Sequence, residues 1–177
     1  MHGNLIIQSS RLYLSEFAMA DAADVYNCIT PAITKYMFWE PPSSFEAYKA
    51  RREQTLLCTG RNDFSFVIRE CDTRECLGIA SLDGIDADAP ELGLWLKETA
   101  HGNRYGTETV RAVADWAART LGKERFTYTA ATENIPSRRI ADSLGGRIVA
   151  NRTSPKYDSV VYLIAWPPGK PLSDDLA

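Results

Sequence analysis

A block from Glu91 to Glu108, ELGLWLKETAHGNRYGTE, constrains the fold of this chain more than any other segment. It reads as a short apolar strand, a turn rich in glycine and small polar residues, and the first turn of a helix. The N-terminus of a helix carries free N–H donors and about half a positive charge, so it binds phosphate well. Gly102, Asn103 and Gly106 tolerate the positive φ angles that a phosphate-binding nest requires. The block therefore predicts a strand-to-helix turn that holds a phosphate-bearing ligand.

Length and composition fit one globular domain. The chain has 177 residues and a hydrophobic fraction of 45%, enough for a sizeable core. Its net charge is −3 with both signs interspersed, which argues against a nucleic-acid partner. No apolar run approaches the ~20 residues of a transmembrane helix, and no signal peptide is visible at the N-terminus. We expect a cytoplasmic protein with one domain over residues 1–168 and a loose, Pro-rich tail over residues 169–177.

The four cysteines, Cys28, Cys58, Cys71 and Cys76, do not form a recognisable zinc motif, because only two histidines accompany them. Disulfides are an alternative, since Cys71 and Cys76 straddle a predicted hairpin. A chain of this length can build a core without such cross-links, however. We therefore expect reduced cysteines and no bound metal.

Hydrophobic periodicity and turn residues predict the element order β-α-α-β-β-β-α-β-α-β-β. The predicted strands are residues 11–17, 64–69, 76–82, 91–96, 125–131, 147–149 and 160–165. The predicted helices run from Asp21 to Pro31, which ends the first one, from Ser43 to about residue 57, and over about residues 107–121 and 137–144. This order indicates an α+β, sandwich-like domain, with a mixed and mostly antiparallel sheet of about seven strands flanked by about four helices. The unit over residues 91–131 should contain the one parallel crossover, and with it a ligand crevice.

The segment between the first two predicted helices is unusually aromatic. Tyr36, Phe38 and Trp39 precede Pro41 and Pro42. Such a segment is too apolar for a plain solvated loop. We expect it to line a pocket, with ordinary core packing as the alternative.

The element order and four motifs resemble the GNAT superfamily of acyl-CoA-dependent N-acyltransferases. The motifs are RL at the first strand with an Asp-led helix after it, LG in CLGIASL, the block ELGLWL…HGNRYGTE, and N-x-x-S at residues 134–137 followed by SLGG. Each motif is weak alone, but together and in this order they are strong. The resemblance covers nearly the whole chain and is closest to the branch of ribosomal-protein N-terminal acetyltransferases. It implies the GNAT fold and an acetyl-CoA-dependent N-acetyltransferase.

The resemblance also implies where the cofactor binds. In this family the loop before the central helix reads Q/R-x-x-G-x-G/A, and its backbone amides bind the pyrophosphate of CoA. The implied cofactor-binding residues of that loop are His101, Gly102, Asn103, Arg104, Tyr105, Gly106 and Thr107. His101 replaces the family's Gln or Arg, and Arg104 replaces its middle glycine. Arg104 either crowds the pyrophosphate or grips a phosphate with its guanidinium.

Further cofactor contacts follow from the same resemblance. The backbone of Leu94, Trp95 and Leu96 should pair with the pantetheine arm like an added strand, because the next strand splays away here. Asn134 should hydrogen-bond the pantetheine, although it could simply cap a helix. Arg138 could reach the 3′-phosphate of CoA, or could lie on a solvated helix face.

Amine acylation needs a base for the amine, a donor for the carbonyl oxygen and a proton for the leaving thiolate. Ser137, which the resemblance places near the sulfur, could supply that proton, or could merely begin a helix. Glu91, at the start of the central strand, is the first candidate for the base, acting through water; the alternative is an exposed strand-end carboxylate. No cysteine lies in a stretch resembling a nucleophile site, so we expect direct attack in a ternary complex.

The acceptor implied by the resemblance is a primary amine, either a protein or peptide N-terminus or a small amino compound. Tyr36 and Trp39 are the candidate walls of its pocket. Transfer of another acyl group stays open, as does a CoA-binding sensor or partner module with lost or weak catalysis. Homodimers are common among such relatives, and we expect neither a nucleic acid nor a membrane as partner.

Overall fold

The chain folds into an α+β domain with one mixed sheet, as predicted. The structure, a computed structural model, describes residues 5–58 and 62–169, with the backbone alone at residue 58. Within these ranges the strands are β1 Ile6–Gln8, β2 Leu12–Glu16, β3 Asp63–Glu70, β4 Cys76–Asp83, β5 Glu91–Leu96, β6 Arg125–Ala131, β7 Arg147–Thr153 and β8 Asp158–Ala165. The α-helices of the same ranges are α1 Ala22–Asn27, α2 Pro31–Thr34, α3 Phe45–Cys58, α4 Tyr105–Leu121 and α5 Ile135–Ser143. Apart from residue 169, the predicted tail lies outside the described residues.

The sheet has the strand order β1-β2-β3-β4-β5-β6-β8-β7, and among the described strands only β5 and β6 pair in parallel. The two parallel strands pair only at Glu91 with Thr127 and at Leu92 with Tyr128. Strand β5 continues to Leu96 alongside β4, so residues 93–96 have no strand partner on the β6 side. The predicted crossover and the predicted splay are therefore both present in the sheet.

Helices cover both faces of the sheet. Along β3, Phe66 and Ile68 pack in the larger core with α4, whereas Val67 between them packs in a second core with α1 and α3. This alternation follows from the two-residue period of a strand. Trp116 of α4 packs edge-on against Phe64 at 5.0 Å and Phe66 at 5.6 Å between ring centroids.

Two helix boundaries were predicted wrongly. Helix α1 ends at Asn27, and Pro31 begins α2 instead of ending the first helix. Proline fits the first turn of a helix because its missing N–H would have no partner there, and the Thr30 side chain accepts from Ile33 N–H to cap α2. Helix α3 is capped by the hydroxyl of Ser44, which accepts from the backbone N–H of residue 47, and not by residue 43. The eighth strand, β1, has only three residues and gave no periodic signal.

Candidate active site

The loop before α4 adopts the left-handed backbone that a phosphate nest needs, at Gly102 as predicted but at Arg104 instead of the other two predicted residues. Gly102 has φ +79°, and Arg104, at the N-cap of α4, has φ +63°. Asn103 and Gly106 are not among the positive-φ residues. Arg104 therefore does reach the backbone angle that the family's glycine would adopt. Helix α4 begins directly after it, at Tyr105, so its first N–H groups are free of partners within the helix.

Gly106 has a packing role. It is buried where α4 approaches α5, and a Cβ atom there would lie 2.7 Å from Cδ1 of Ile140. An added methyl group would displace the end of the Ile140 side chain, so glycine leaves room for Ile140 between the two helices. The glycine thus favours close packing of the start of α4 against the helix that carries Ser137.

The loop is fixed to the sheet by Arg11 and Glu108. The Glu108 carboxylate accepts hydrogen bonds from the Ser9 hydroxyl at 2.7 Å, the Arg11 backbone N–H at 2.9 Å and Arg11 Nε at 2.8 Å. Arg11 also donates from its guanidinium to the carbonyl of Asn103 at 3.1 Å. Burial alone would raise the pKa of Glu108, but the hydrogen bonds from Ser9 and Arg11 outweigh it and hold this pKa below its usual value. The RL motif at β2 therefore fixes the start of α4.

We expect Glu108→Gln to lower the free energy of unfolding by about 1–3 kcal/mol near neutral pH, because an amide cannot match the charge-assisted bonds from Arg11. A carboxyl whose pKa is lowered by folding stabilises fully above its ordinary pKa of 4.5, and the effect is lost as the pH falls through the lowered value. Urea unfolding of both proteins near neutral pH and near pH 3 tests this. The stability gap should narrow in acid; an equal gap at both pH values would mean that the amide disturbs packing.

His101 and Tyr105 anchor the loop on its other side. The His101 ring lies with Nε2 2.8 Å from the carbonyl oxygen of Leu96, so Nε2 must carry the proton and donate. The Tyr105 hydroxyl donates to Glu70 at 2.7 Å. His101 therefore links the loop before α4 to the end of β5.

A cavity of about 460 Å³ opens beside the point where β5 and β6 diverge. Seven of the predicted site residues line it: Tyr36, Trp39, Glu91, Leu94, Trp95, Asn134 and Ser137. Leu96, the loop over residues 101–107 and Arg138 lie outside its lining. The structure thus brings the candidate catalytic and acceptor residues to one place, with the candidate phosphate loop outside the cavity.

Ser137 lies on one side of this cavity, next to a tyrosine that sequence reasoning missed. Its Oγ is 2.9 Å from the hydroxyl oxygen of Tyr128, which lines the cavity from β6. Burial raises the pKa of Tyr128 to about 12, against the opposing effect of the hydrogen bond with Ser137, so the phenol stays protonated at neutral pH. Asn134 accepts from the Ser137 backbone N–H at 3.3 Å and caps α5, while also lining the cavity.

Glu91 on β5 is paired directly with Asp83 on the neighbouring strand β4, and both residues line the cavity. Desolvation raises the pKa of Asp83 above its ordinary value, and the charges of Asp63 and Glu91 add to the rise against a hydrogen bond from Ser81. Two neighbouring carboxylates therefore face the space in which an amine would lie. The predicted base, Glu91, therefore has a second carboxyl group beside it. The pairing of β4 with β5 brings the two together, and the sequence alone did not identify Asp83.

The aromatic segment forms the wall opposite the sheet. Trp39 packs edge-on against Trp95 at 6.3 Å between ring centroids, and Tyr36 packs edge-on against Tyr157 at 6.2 Å. Lys156 lies in the turn between β7 and β8 and donates to the Thr34 carbonyl at 2.9 Å. It also forms an ion pair with the carboxylate of Glu40, at the end of the aromatic segment. The turn between β7 and β8 therefore holds the aromatic segment over the cavity.

Arg138 is held by its own fold. Its Nε donates to the hydroxyl of Tyr162 at 3.1 Å, and a terminal nitrogen donates to the carbonyl of Thr132 at 3.2 Å. Two of its donors are thus engaged within the protein. A role at the 3′-phosphate of CoA stays a prediction.

Neither a metal centre nor a membrane span emerges from the described residues. Over residues 5–58 and 62–169, no three His, Cys, Asp or Glu side chains are grouped so that they could hold a metal ion. Across the same described ranges, no helix combines the length and the apolar character needed to cross a bilayer.

Comparisons with known proteins agree with this geometry. A family model described as the acetyltransferase (GNAT) domain matches residues 11–147. Among solved structures, the apo form of RimL, the ribosomal L7/L12 α-N-protein acetyltransferase, is similar with TM-score 0.79 and 19% identity, covering 93% of this chain and 96% of that one. A RimL structure in complex with coenzyme A has TM-score 0.77 and 18% identity, covering 91% and 98%. A chimera of the spermidine N-acetyltransferase SpeG from Vibrio cholerae has TM-score 0.73 and 16% identity, covering 88% and 96%.

No curated protein matches the sequence at a significant level. The solved structures, at their low identity, establish the fold. The family match spans most of the chain, from Arg11 through the phosphate loop to the end of the Asn134–Ser137 motif and beyond. The predicted resemblance is therefore confirmed, and the chain belongs to the GNAT family of acetyltransferases, enzymes that transfer an acetyl group from acetyl-CoA.

Proposed function

We propose that this enzyme transfers the acetyl group directly from acetyl-CoA to a primary amine held in the cavity beside β5. The observation that carries the proposal is the divergence of β5 from β6 into a cavity that has Ser137 and Tyr128 on one side and Glu91 with Asp83 on the other. A backbone edge without a strand partner suits an extended arm, and the two polar pairs suit the two proton transfers of amine acylation.

The cofactor would bind along the edge of β5 and the start of α4. The pyrophosphate fits the N–H groups of the loop over residues 101–107, where Gly102 and Arg104 already have left-handed backbones. Among the described residues, no hydrogen bond, ion pair or ring contact engages the Arg104 guanidinium. It is therefore available to a phosphate. This supports a functional loop over the alternative of a sensor module with a damaged one.

Different residues of the cavity carry out the two proton transfers of the reaction. Glu91, with Asp83 beside it, accepts a proton from the amine through water, and the freed lone pair forms the new C–N bond as the C–S bond breaks. Ser137 donates its proton to the departing sulfur. Tyr128, 2.9 Å from Ser137 Oγ, replaces that proton through the existing hydrogen bond. The second proton, which the nitrogen loses once the C–N bond has formed, returns through water to the Tyr128 phenol. Most of the acceleration would come from positioning, up to roughly 7–11 kcal/mol in ideal cases.

The acceptor is a peptide N-terminus or a small amine. The two named relatives differ on this point, since RimL acts on a ribosomal protein and SpeG on spermidine, while their folds are alike. The first acceptors to test are therefore N-terminal peptides and polyamines. Isothermal titration with acetyl-CoA, with NADH and ATP as controls, followed by thiol release with each amine, tests the function. Saturable binding of acetyl-CoA alone supports it, whereas no binding near millimolar ligand would overturn it.

Arg104→Gly separates the two interpretations of the unusual loop. We expect the variant to bind acetyl-CoA roughly 10- to 100-fold more weakly, because a charge-assisted bond to phosphate contributes roughly 1.5–3 kcal/mol. Fold stability should change little, since glycine adopts the left-handed angle of this residue without strain. Titration of both proteins gives the affinities, and thermal unfolding serves as the control. A gain in affinity would show that the side chain crowds the pyrophosphate.

A further inference from the structure

Arg52 is a cation in the candidate acceptor cavity to which the described residues supply no balancing anion. It lies on α3 and lines the cavity, with its guanidinium 3.9 Å over the Phe17 ring and one nitrogen donating to the Ser65 hydroxyl at 3.1 Å. Its Nε is buried and has no hydrogen-bond partner among the described residues. Within the same part of the chain no ion pair involves Arg52.

Such an arrangement is energetically unfavourable on its own. A charge removed from water is stabilised by an opposite charge and by hydrogen bonds that use all of its donors. Desolvation lowers the pKa of Arg52, which shows the same penalty. An anionic group entering the cavity would offset this penalty and could accept from the unpaired Nε.

The sheet fixes how far Arg52 lies from the reacting centre. Ser65 of β3 is opposite Ser81 of β4, and Ser81 is opposite Gly93 of β5, so the three form one row across the cavity floor. Adjacent strands are about 4.8 Å apart, which puts Ser65 roughly 10 Å from the free edge of β5. A Cβ atom at Gly93 would lie 2.6 Å from Ser81 Oγ, so glycine keeps this row open.

The nearest carboxylates form the next row on the same face of the sheet. Glu91 and Asp83 lie two residues from Gly93 and Ser81, and Asp63 of β3 continues the row, its carboxylate accepting from the backbone N–H of Gly84. The charge of an ammonium group near Glu91 and that of an anion near Arg52 would both be balanced. The cavity therefore presents carboxylates from β4 and β5 and a guanidinium from α3.

We propose that Arg52, with the Ser65 hydroxyl, binds a carboxylate on the acceptor, and that the acceptor is a primary amine carrying this carboxylate roughly 5–10 Å from its nitrogen, about the span of one to two strand spacings. This rests on the proposed acetyl transfer and names its substrate class. The α-carboxylate of a free amino acid, attached to the carbon that bears the amine, is too close to reach both sides. An N-terminal peptide with an acidic second residue and a long ω-amino acid both fit.

Paired acceptors test the inference and distinguish the two sources of the carboxylate. The peptide amides Ser-Glu-Ala and Ser-Gln-Ala form one pair, and 6-aminohexanoate and hexylamine form the other. We expect the wild-type enzyme to favour the anionic member of at least one pair by roughly 10- to 100-fold in kcat/KM. The pair that shows the preference identifies the source.

Arg52→Met should abolish that preference while leaving kcat/KM for the neutral member and the Kd for acetyl-CoA nearly unchanged. Arg52→Lys keeps the charge and should retain part of the preference, which guards against a folding defect in the first variant. Lys49→Met is the matched control, since Lys49 is an exposed cation of the same helix that lies outside the cavity lining and pairs with Glu53, where water screens its charge.

The inference would be overturned by no preference in the wild-type enzyme, by an equal loss in Lys49→Met and Arg52→Met, or by a preference that survives Arg52→Met. Binding of acetyl-CoA without acetylation of any of the four amines would also overturn it, while leaving the cofactor assignment intact. Failure to bind acetyl-CoA would instead overturn the proposed function itself.

Discussion

Ser137→Ala should lower kcat by about 100-fold or more while leaving the Kd for acetyl-CoA within about twofold. The variant removes the hydroxyl that donates to the departing sulfur, but keeps the α5 backbone and its Asn134 cap. Tyr128→Phe should have a smaller effect, about 10-fold, because Ser137 would still be present and water could replace the phenol. Steady-state thiol release with a saturating amine gives kcat, and titration gives the Kd.

Ser143→Ala is the matched control for this prediction. Ser143 is an exposed serine of the same helix, and its hydroxyl donates to the carbonyl of Ile140, away from the cavity. We expect an unchanged kcat. If Ser137→Ala were equally active, Ser137 would be only a helix-start residue, and Tyr128 or water would be the acid.

Gly78→Ala should lower the free energy of unfolding by at least about 3 kcal/mol, which corresponds to a fall of roughly 6–12 °C in Tm. Gly78 has φ +152°, and a Cβ atom there would lie 2.1 Å from the carbonyl oxygen of Trp95 and 2.9 Å from Cα of Leu96. These are backbone atoms of the neighbouring strand, so a rotamer change cannot relieve the clash. Strands β4 and β5 would have to separate at the end of the candidate pantetheine edge.

Gly84→Ala is the control for backbone conformation without a clash. Gly84 has φ +68°, and none of the described residues has an atom within 4 Å of a Cβ atom placed there. We expect a loss of about 1 kcal/mol from the left-handed angle alone. Thermal and urea unfolding measure both variants. Similar losses in the two would show that β4 and β5 can adjust around the added methyl group.

Sequence patterns were sufficient for seven of the eight described strands and for helix α4. The apolar runs of β3 to β6 and the helical period from Val110 to Leu121 are local signals, and each was found within a few residues of its true position. Pro31 shows where local signals were ambiguous, because proline is compatible both with the residue after a helix and with the first turn of the next one.

The candidate site was only partly predictable from the sequence. The residues that sequence patterns missed reach the cavity through tertiary packing, which leaves no local signal. Tyr128 meets Ser137 only because α5 docks on β6, and Arg52 reaches the cavity only because α3 crosses β3. Asp83 became visible as a neighbour of Glu91 once the register of β4 and β5 was known. Arg104 could be flagged from the resemblance, but its left-handed backbone had to be seen in the structure.

The wall that Lys156 holds in place has a consequence for how this protein diverges from its relatives. Lys156 and Tyr157 lie beyond residue 147, where the family match ends, whereas the phosphate loop and Ser137 lie well within it. The turn that holds the aromatic wall is therefore encoded outside the stretch that carries Ser137 and every other cavity-lining residue except Tyr157. A change of sequence in this turn can reposition the aromatic segment over the cavity without altering those other residues.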